Sequence, residues 1–284
     1  MGIVFGLAAA LCWGLGDFAI TTLARFVGTA RCLLYIQIFS LASWVVLLAL
    51  FPHQATGGIS PWLLAVLAGV FHVIGLATTY RAFEIGTLSF VSPIASSFAI
   101  VVVLLTLLTG NGPVLTALLG TLLLIAGIVV VTRSTGSEDK TTIRGVPEAI
   151  ASAVCFGVMF WLVDGYVKAP LGDVYPLILL KMMATIFAVG YVAKSPPIPE
   201  AESLGKGRLV WLALLAALLD TAAWVCALYG YKNGHVAVVT ALASLFSVVT
   251  VVMAGIFLKE RLNKLQWVGV AVVLGGICLV SLPR

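Results

Sequence analysis

The chain has 284 residues, of which 62% are hydrophobic and only 10% charged. A soluble domain carries about 25% charged residues, so a water-soluble globular chain is excluded and lipid must be the solvent for most of the surface. The net charge of +5 comes from basic residues scattered singly through loops, a pattern that excludes a nucleic-acid patch.

A helix crossing the hydrocarbon core needs roughly 20 apolar residues. Apolar runs between turn signals predict ten such spans, at approximately 3–24, 33–51, 62–83, 88–108, 113–132, 145–166, 174–193, 209–231, 236–258 and 265–282. Pro52, Gly57-Gly58, Gly110-Asn111-Gly112-Pro113 and Ser195-Pro196-Pro197 supply the sharpest breaks. The first run lacks the basic flank and cleavage site of a signal peptide, so it reads as a span. The five cysteines show no paired spacing and read as small hydrophobes.

Ionisable groups inside a span cost at least ~2.5 kcal/mol on insertion scales, so each needs a reason. In the first span Trp13, Asp17 and Thr21 recur every four residues and share a face. That face lines a cavity, or the aspartate reaches interfacial water. In the third span His72 lies near the middle, and Tyr80, Arg81 and Glu84 lie near the end. The i,i+3 spacing of Arg81 and Glu84 predicts an interfacial pair. In the fourth span Ser89, Ser92 and Ser96 form a hydroxyl stripe, and Pro93 leaves the Ser89 carbonyl without its usual donor. The polar stretch from Thr132 to Thr142 divides the chain almost in half.

In the second half, Lys181 lies about eight residues into the seventh span. It pairs with Asp17 or Asp220, binds a substrate carboxylate, or snorkels to the nearer interface, the option its position favours. Asp220 sits mid-span in the eighth, with Trp224 one turn on. Thr240, Ser244 and Ser247 repeat the hydroxyl stripe in the ninth. Small hydroxyl residues serve close helix packing as readily as cavity lining. Membrane aromatics such as Tyr80, Trp161, Trp224 and Tyr229 stack on a substrate or anchor the interface.

The halves are alike. At an offset of 148, Gly86 meets Gly234, Ser92 meets Thr240, Ser96 meets Ser244, and His72 meets Asp220; at 143, Cys12 and Gly14 meet Cys155 and Gly157, and Asp17 meets Phe160. Five spans per half place the second half in the membrane upside down, as in many secondary transporters. Loop charge agrees. Twelve basic residues (Arg25, Arg31, Arg81, Arg133, Lys140, Arg144, Lys194, Lys206, Arg208, Lys259, Arg261, Lys264) collect on one side, against Lys168, Lys232 and Arg284 on the other. The positive-inside rule then puts both termini outside the cytoplasm.

The stretch from Tyr80 to Ile94 and the stretch from Ala243 to Gly269 resemble the drug/metabolite transporter superfamily, in particular its EamA-type ten-helix members. The second stretch matches the family's ending of a repeat, a Gly-Glu-Arg-Leu-like turn before the last helix, with Lys259 in place of the glycine. The first half has Gly110-Asn111-Gly112-Pro113 there and no glutamate. The resemblance implies export or exchange of amino acids, sugars or other small metabolites, and both termini in the cytoplasm, against the charge count.

No nucleophile elbow, HExxH, Walker loop or His/Cys cluster is present, so no enzyme, metal or cofactor is expected. The expectation is an all-α integral membrane protein of ten helices in two inverted five-helix repeats, residues 1–132 and 145–284 around a 133–144 linker. It sits multi-pass in a cell (inner) membrane and moves a small polar metabolite by alternating access, as an exporter or exchanger. Nutrient import, lipid chemistry and a flippase-type subunit are the rivals. The expected site is Asp17, His72 and Asp220, with Trp13, Lys181, Ser92, Ser96, Thr240, Ser244, Tyr80 and Trp224 around them. Partners are a small-molecule substrate, lipid, protons as coupling ion and a second copy in a homodimer.

Overall fold

The computed structural model describes residues 1–50, 55, 58–109, 115–133, 144–195, 205–233, 239, 242–243, 245–260 and 263–280. Among these residues every regular element is helical. In chain order they are α1 (Gly2–Leu50), α2 (Ile59–Ile85), α3 (Leu88–Ala95), α4 (Ala99–Leu108), α5 (Leu115–Arg133), α6 (Val146–Leu162), α7 (Lys168–Leu171), α8 (Val174–Ala193), α9 (Lys206–Asn233), α10 (Phe246–Met253) and α11 (Lys264–Val280). A 3₁₀ turn joins α3 to α4, and π turns join α6 to α7 and follow α10.

Six segments are long and apolar enough to span a bilayer: Gly2–Ala49, Ile59–Ile85, Leu88–Leu108, Val146–Leu171, Val174–Ala193 and Gly207–Asn233. Leu118–Gly127, Phe246–Leu258 and Trp267–Gly276 are shorter apolar helices. Their outer faces carry exposed Leu, Ile and Val, such as Leu7, Leu11, Leu63, Leu67, Val70 and Ile186. Their inner faces bury Ala, Ser and Thr, the small residues that let helices approach where lipid removes the hydrophobic drive.

The sequence separates the first two spans by a loop holding Arg25 and Arg31. The structure has one 49-residue element there, with only Gly28 leaving helical geometry (φ 77, ψ 160). A straight helix of that length would run roughly 74 Å at 1.5 Å per residue, more than twice the ~30 Å core. The chain instead doubles back, because the Cys32 thiol lies 3.6 Å from the Ile20 carbonyl oxygen twelve residues earlier. Only glycine enters the backbone region that Gly28 occupies without strain.

Glycine also sets how the halves interlock. A Cβ on Gly14 of α1 would lie 2.8 Å from the Phe246 carbonyl oxygen and press on Val249 of α10; one on Gly157 of α6 would lie 2.8 Å from the Phe98 carbonyl oxygen and press on Val101 of α4. Gly14 and Gly157 are partners at the sequence offset of 143, while Phe98 and Phe246, and Val101 and Val249, are partners at 148. α1 therefore packs against α10, and α6 against the start of α4, through the same contact. The helices that close the two halves meet as well: Gly127 of α5 fits against Val273 and the Gly269 carbonyl of α11.

Candidate functional site

Nine of the expected site residues line one cavity of about 170 Å³: Trp13 and Asp17 from α1, His72 and Tyr80 from α2, Ser92 from α3, Ser96 just after it, Lys181 from α8, and Asp220 and Trp224 from α9. Thr240 and Ser244 lie outside the described residues. The cavity continues into a chamber of about 400 Å³, with Trp13, His72, Ser96, Lys181 and Trp224 in both walls. The chamber runs to the α7–α8 turn, where Lys168 and Asp173 form a partly exposed pair 3.2 Å apart.

Asp220 and Lys181 are joined. The ammonium donates to Asp220 Oδ2 at 2.7 Å, and Ser40 Oγ donates to the same oxygen at 3.1 Å. Lys181 is only 2% exposed, so the snorkelling that its sequence position favours does not occur. The helix of Lys181 packs against both α1 and α2, which close off its route to the interface. A buried ammonium is held there because the Asp220 carboxylate replaces its water, and Ser40 adds a donor to that same carboxylate.

Asp17 is different. Thr250 Oγ1 donates to its Oδ2 at 3.2 Å, with Ser92 Oγ at 3.5 Å. No basic side chain among the described residues forms an ion pair with it. Both nitrogens of buried His72 are likewise without a hydrogen-bond partner among the described residues, and its ring faces Phe156 at 5.9 Å between centroids. Polar atoms buried unpaired are costly, and at a cavity wall they are available to a ligand.

Aromatic rings form the apolar wall. Trp13 meets Trp224 edge to face at 5.4 Å and Phe246 at 6.1 Å, and Trp224 leads through Phe160 to Phe98. Phe160 is the repeat partner of Asp17, and both line the cavity, so the acid has an aromatic ring where symmetry would put a second acid. Sequence reasoning missed Ser40, Thr250, Phe98 and Phe246. Thr250 had a signal, since it extends the Ser244–Ser247 hydroxyl spacing by one more step of three. Ser40 had only its polarity in an apolar run.

Opposite the chamber, the bundle is sealed. Arg81 pairs with Glu84 at 2.9 Å, as the spacing predicts. The other Glu84 oxygen accepts from the backbone N–H and hydroxyl of Thr29, the first residue after the Gly28 break. Glu260 does the same for α3, accepting from the N–H of Leu88 at 3.0 Å and from the N–H and hydroxyl of Ser89 at 2.8 Å each. Carboxylates at helix N-termini satisfy orphan N–H groups and the positive end of the dipole. Arg25 ties the cluster together, reaching Glu260 Oε1 at 3.1 Å, the Gly86 carbonyl at 2.8 Å and the Phe83 carbonyl at 3.3 Å. Lys259, where the resemblance puts a glycine, is left-handed (φ 54), and it turns the chain so that Glu260 points at α3.

The hydroxyl stripe connects this seal to the cavity. Ser89 touches Glu260, Ser92 touches Asp17, and Ser96 accepts from Ser247 of α10 at 2.6 Å.

Comparison with known proteins points one way. A model of the EamA-like transporter family matches residues 143–282. A curated relative from a Sinorhizobium species, described as an uncharacterized transporter in the cobO 3' region, is 33% identical over 106 residues, which is 37% of this chain and 70% of the relative. A solved structure described only as a crystal structure of protein superposes with a TM-score of 0.65 at 16% identity, covering 98% of this chain and 95% of its own; at that identity it shows the fold alone.

Proposed function

The chain belongs to the EamA-like transporter family, and from that premise we propose that it is a secondary transporter that carries a small metabolite through the cavity by alternating access. It is a multi-pass membrane protein and not an enzyme. The six long segments, the first split at Gly28, and the three shorter helices support a reading as ten spans. The paired contacts of Gly14 and Gly157 support two inverted repeats, 1–132 and 145–284. Gly14→Ala and Gly157→Ala should lower the melting temperature by similar amounts, since each Cβ meets the same kind of backbone carbonyl. A large loss at one glycine and none at the other would break the symmetry.

The observation that carries the reading is a charged cavity that runs to one end of the bundle and is sealed at the other. A transporter needs a site that faces one side at a time. Opening the seal and closing the chamber exchanges the exposed side, and the halves rocking on one another would do both. The loop-charge count groups twelve basic residues with Arg25 and Arg81 of the sealed end, which supports that end as the cytoplasmic one, with both termini outside. A carboxy-terminal reporter active only in the cytoplasm would reverse this and restore the orientation usual for the family.

Asp17, His72 and the Asp220–Lys181 pair are the groups that bind substrate or carry a coupling proton. Purified protein in liposomes should show counterflow of a metabolite found by a thermal-shift screen. Asp220→Asn and His72→Gln should alter flux per folded molecule between about pH 5 and 8. Normal flux and an unchanged pH profile in both would remove these residues from the mechanism.

A further inference from the structure

We propose that the ligand of the cavity is an aromatic organic cation, an amine or quaternary ammonium on a flat ring, with no free carboxylate. This rests on the transporter reading and narrows its substrate. Three observations lead to it.

The first is the charge count. Two carboxylates and one ammonium line the cavity. The ammonium of Lys181 is already held by Asp220 at 2.7 Å. The Asp17 carboxyl is left with no ion-pair partner among the described residues. A positively charged group is what that carboxylate lacks. Among the described residues of the wall a substrate carboxylate would meet no ammonium or guanidinium but Lys181, and would have to pull it away from Asp220, leaving a second buried charge unpaired.

The second is the wall. Trp13 and Trp224 stand at 90° to each other, and Phe246 and Phe160 extend the wall on either side. Rings around a cation attract it through their negative faces, with tryptophan the strongest, and desolvation increases the effect. The same rings offer area for stacking a flat apolar group. Trp13 lies on the same helix face as Asp17, one turn away, so a single ligand can meet both.

The third is the hydration of Asp17. Its partners are two hydroxyls at 3.2 and 3.5 Å, and Thr250 also donates to the Phe246 carbonyl at 3.0 Å. The carboxylate therefore has acceptor capacity to spare toward the cavity.

Three indoles separate charge from shape: tryptamine is a cation, 3-methylindole is neutral, and indole-3-propionate is an anion. Equilibrium dialysis against the purified full chain should rank tryptamine at least about tenfold tighter than either of the others, a factor that corresponds to one well-placed interaction. Asp17→Asn should bring tryptamine down to the level of 3-methylindole and leave 3-methylindole unchanged. If Asp17→Asn does not fold, the ranking on the wild-type chain still decides, and Trp13→Leu, which keeps the carboxylate, should weaken tryptamine more than indole-3-propionate. Equal or tighter binding of indole-3-propionate, unchanged tryptamine binding in Asp17→Asn, or no binding of any of the three overturns the proposal. Liposome counterflow separates this from the transport reading. Tight tryptamine binding without tryptamine flux sinks transport through this site and leaves the ligand class standing. Saturable flux of indole-3-propionate without tryptamine flux does the opposite.

Discussion

The two ends of the helix bundle use the same residue types for different results. At the sealed end Arg25, Glu84 and Glu260 are fixed by backbone groups: two N-termini, at Thr29 and Leu88, and the carbonyls of Phe83 and Gly86. At the chamber end the one ion pair of Lys168 among the described residues is with Asp173, and Lys168 lies over the Tyr231 ring at 5.3 Å, with both charged side chains partly exposed. A charge anchored by orphan backbone groups holds helices together, because breaking it strands several polar atoms at once. A charge facing another charge in water holds very little. The location of the lock therefore follows from what each carboxylate touches, and not from how many charges an end carries.

The largest expected effect tests the crowding of the sealed end. A Cβ on Gly86 would lie 2.6 Å from the Ala82 carbonyl oxygen and 2.7 Å from that of Arg144, and Gly145 approaches the same place with φ +82. Backbone cannot move aside as a side chain can. Gly86→Ala should destabilise by about 3 kcal/mol or more and lower the yield of monodisperse protein. Gly165, beside the chamber, has nothing within 4 Å of its Cβ position. Gly165→Ala should be neutral or gain up to about 1 kcal/mol in thermal melting. Equal losses at both sites would erase the contrast between the ends.

Next is the lock itself. Glu260→Gln keeps the shape but removes the charge that Arg25, Leu88 and Ser89 all address. Hydrogen bonds to a charged group are worth about 1.5–3 kcal/mol, and each ~1.4 kcal/mol shifts a two-state population tenfold. Cys32 is fully buried beside the Gly28 break and reports opening there. With the four other cysteines replaced, Glu260→Gln should speed maleimide labelling of Cys32 by about tenfold. Arg25→Gln should do less, since Glu260 keeps its three donors from α3. Unchanged labelling in both would mean that apolar packing seals this end.

Much of this was legible, and the boundary has a physical cause. Asp17, His72, Ser92, Ser96, Lys181 and Asp220 converge on one cavity because a polar side chain in an apolar run has nowhere else to go, so hydropathy alone picks them out. Partner choice was not legible. The spacing of Arg81 and Glu84 yields their pair, since i,i+3 neighbours meet on any helix. Glu260 meets Leu88 across 172 positions, and no periodicity encodes that. For Lys181 the sequence offered Asp17 or Asp220 as partner but favoured snorkelling, because its depth is a local quantity while the carboxylate that keeps it inside is on α9.

At the chamber end the expected effects are small. Lys168→Gln or Asp173→Asn should cost about 1 kcal/mol at most, as exposed pairs do, and leave Cys32 labelling unchanged. Faster labelling from either would show that the two ends are coupled through resting ion pairs, and the contrast drawn above would fail.

The smallest effect has the opposite sign and concerns how the lock is aimed. Lys259 is the one non-glycine residue with positive φ among those described, and its N–H donates to the Ala254 carbonyl to close the π turn. A side chain in the left-handed region costs about 1–2 kcal/mol. Glycine removes that strain but has more freedom to lose on folding, about 0.5–1 kcal/mol. Lys259→Gly should therefore raise stability by a few tenths to about 1 kcal/mol, visible as a small rise in melting temperature. Lys259→Ala removes the same charge and keeps the strain, so it should give no rise. If both variants behave alike, the charge of Lys259 matters and its backbone does not. If glycine alone is stabilising, the turn that points Glu260 at α3 is held under strain, and relieving it should slow Cys32 labelling where Glu260→Gln speeds it.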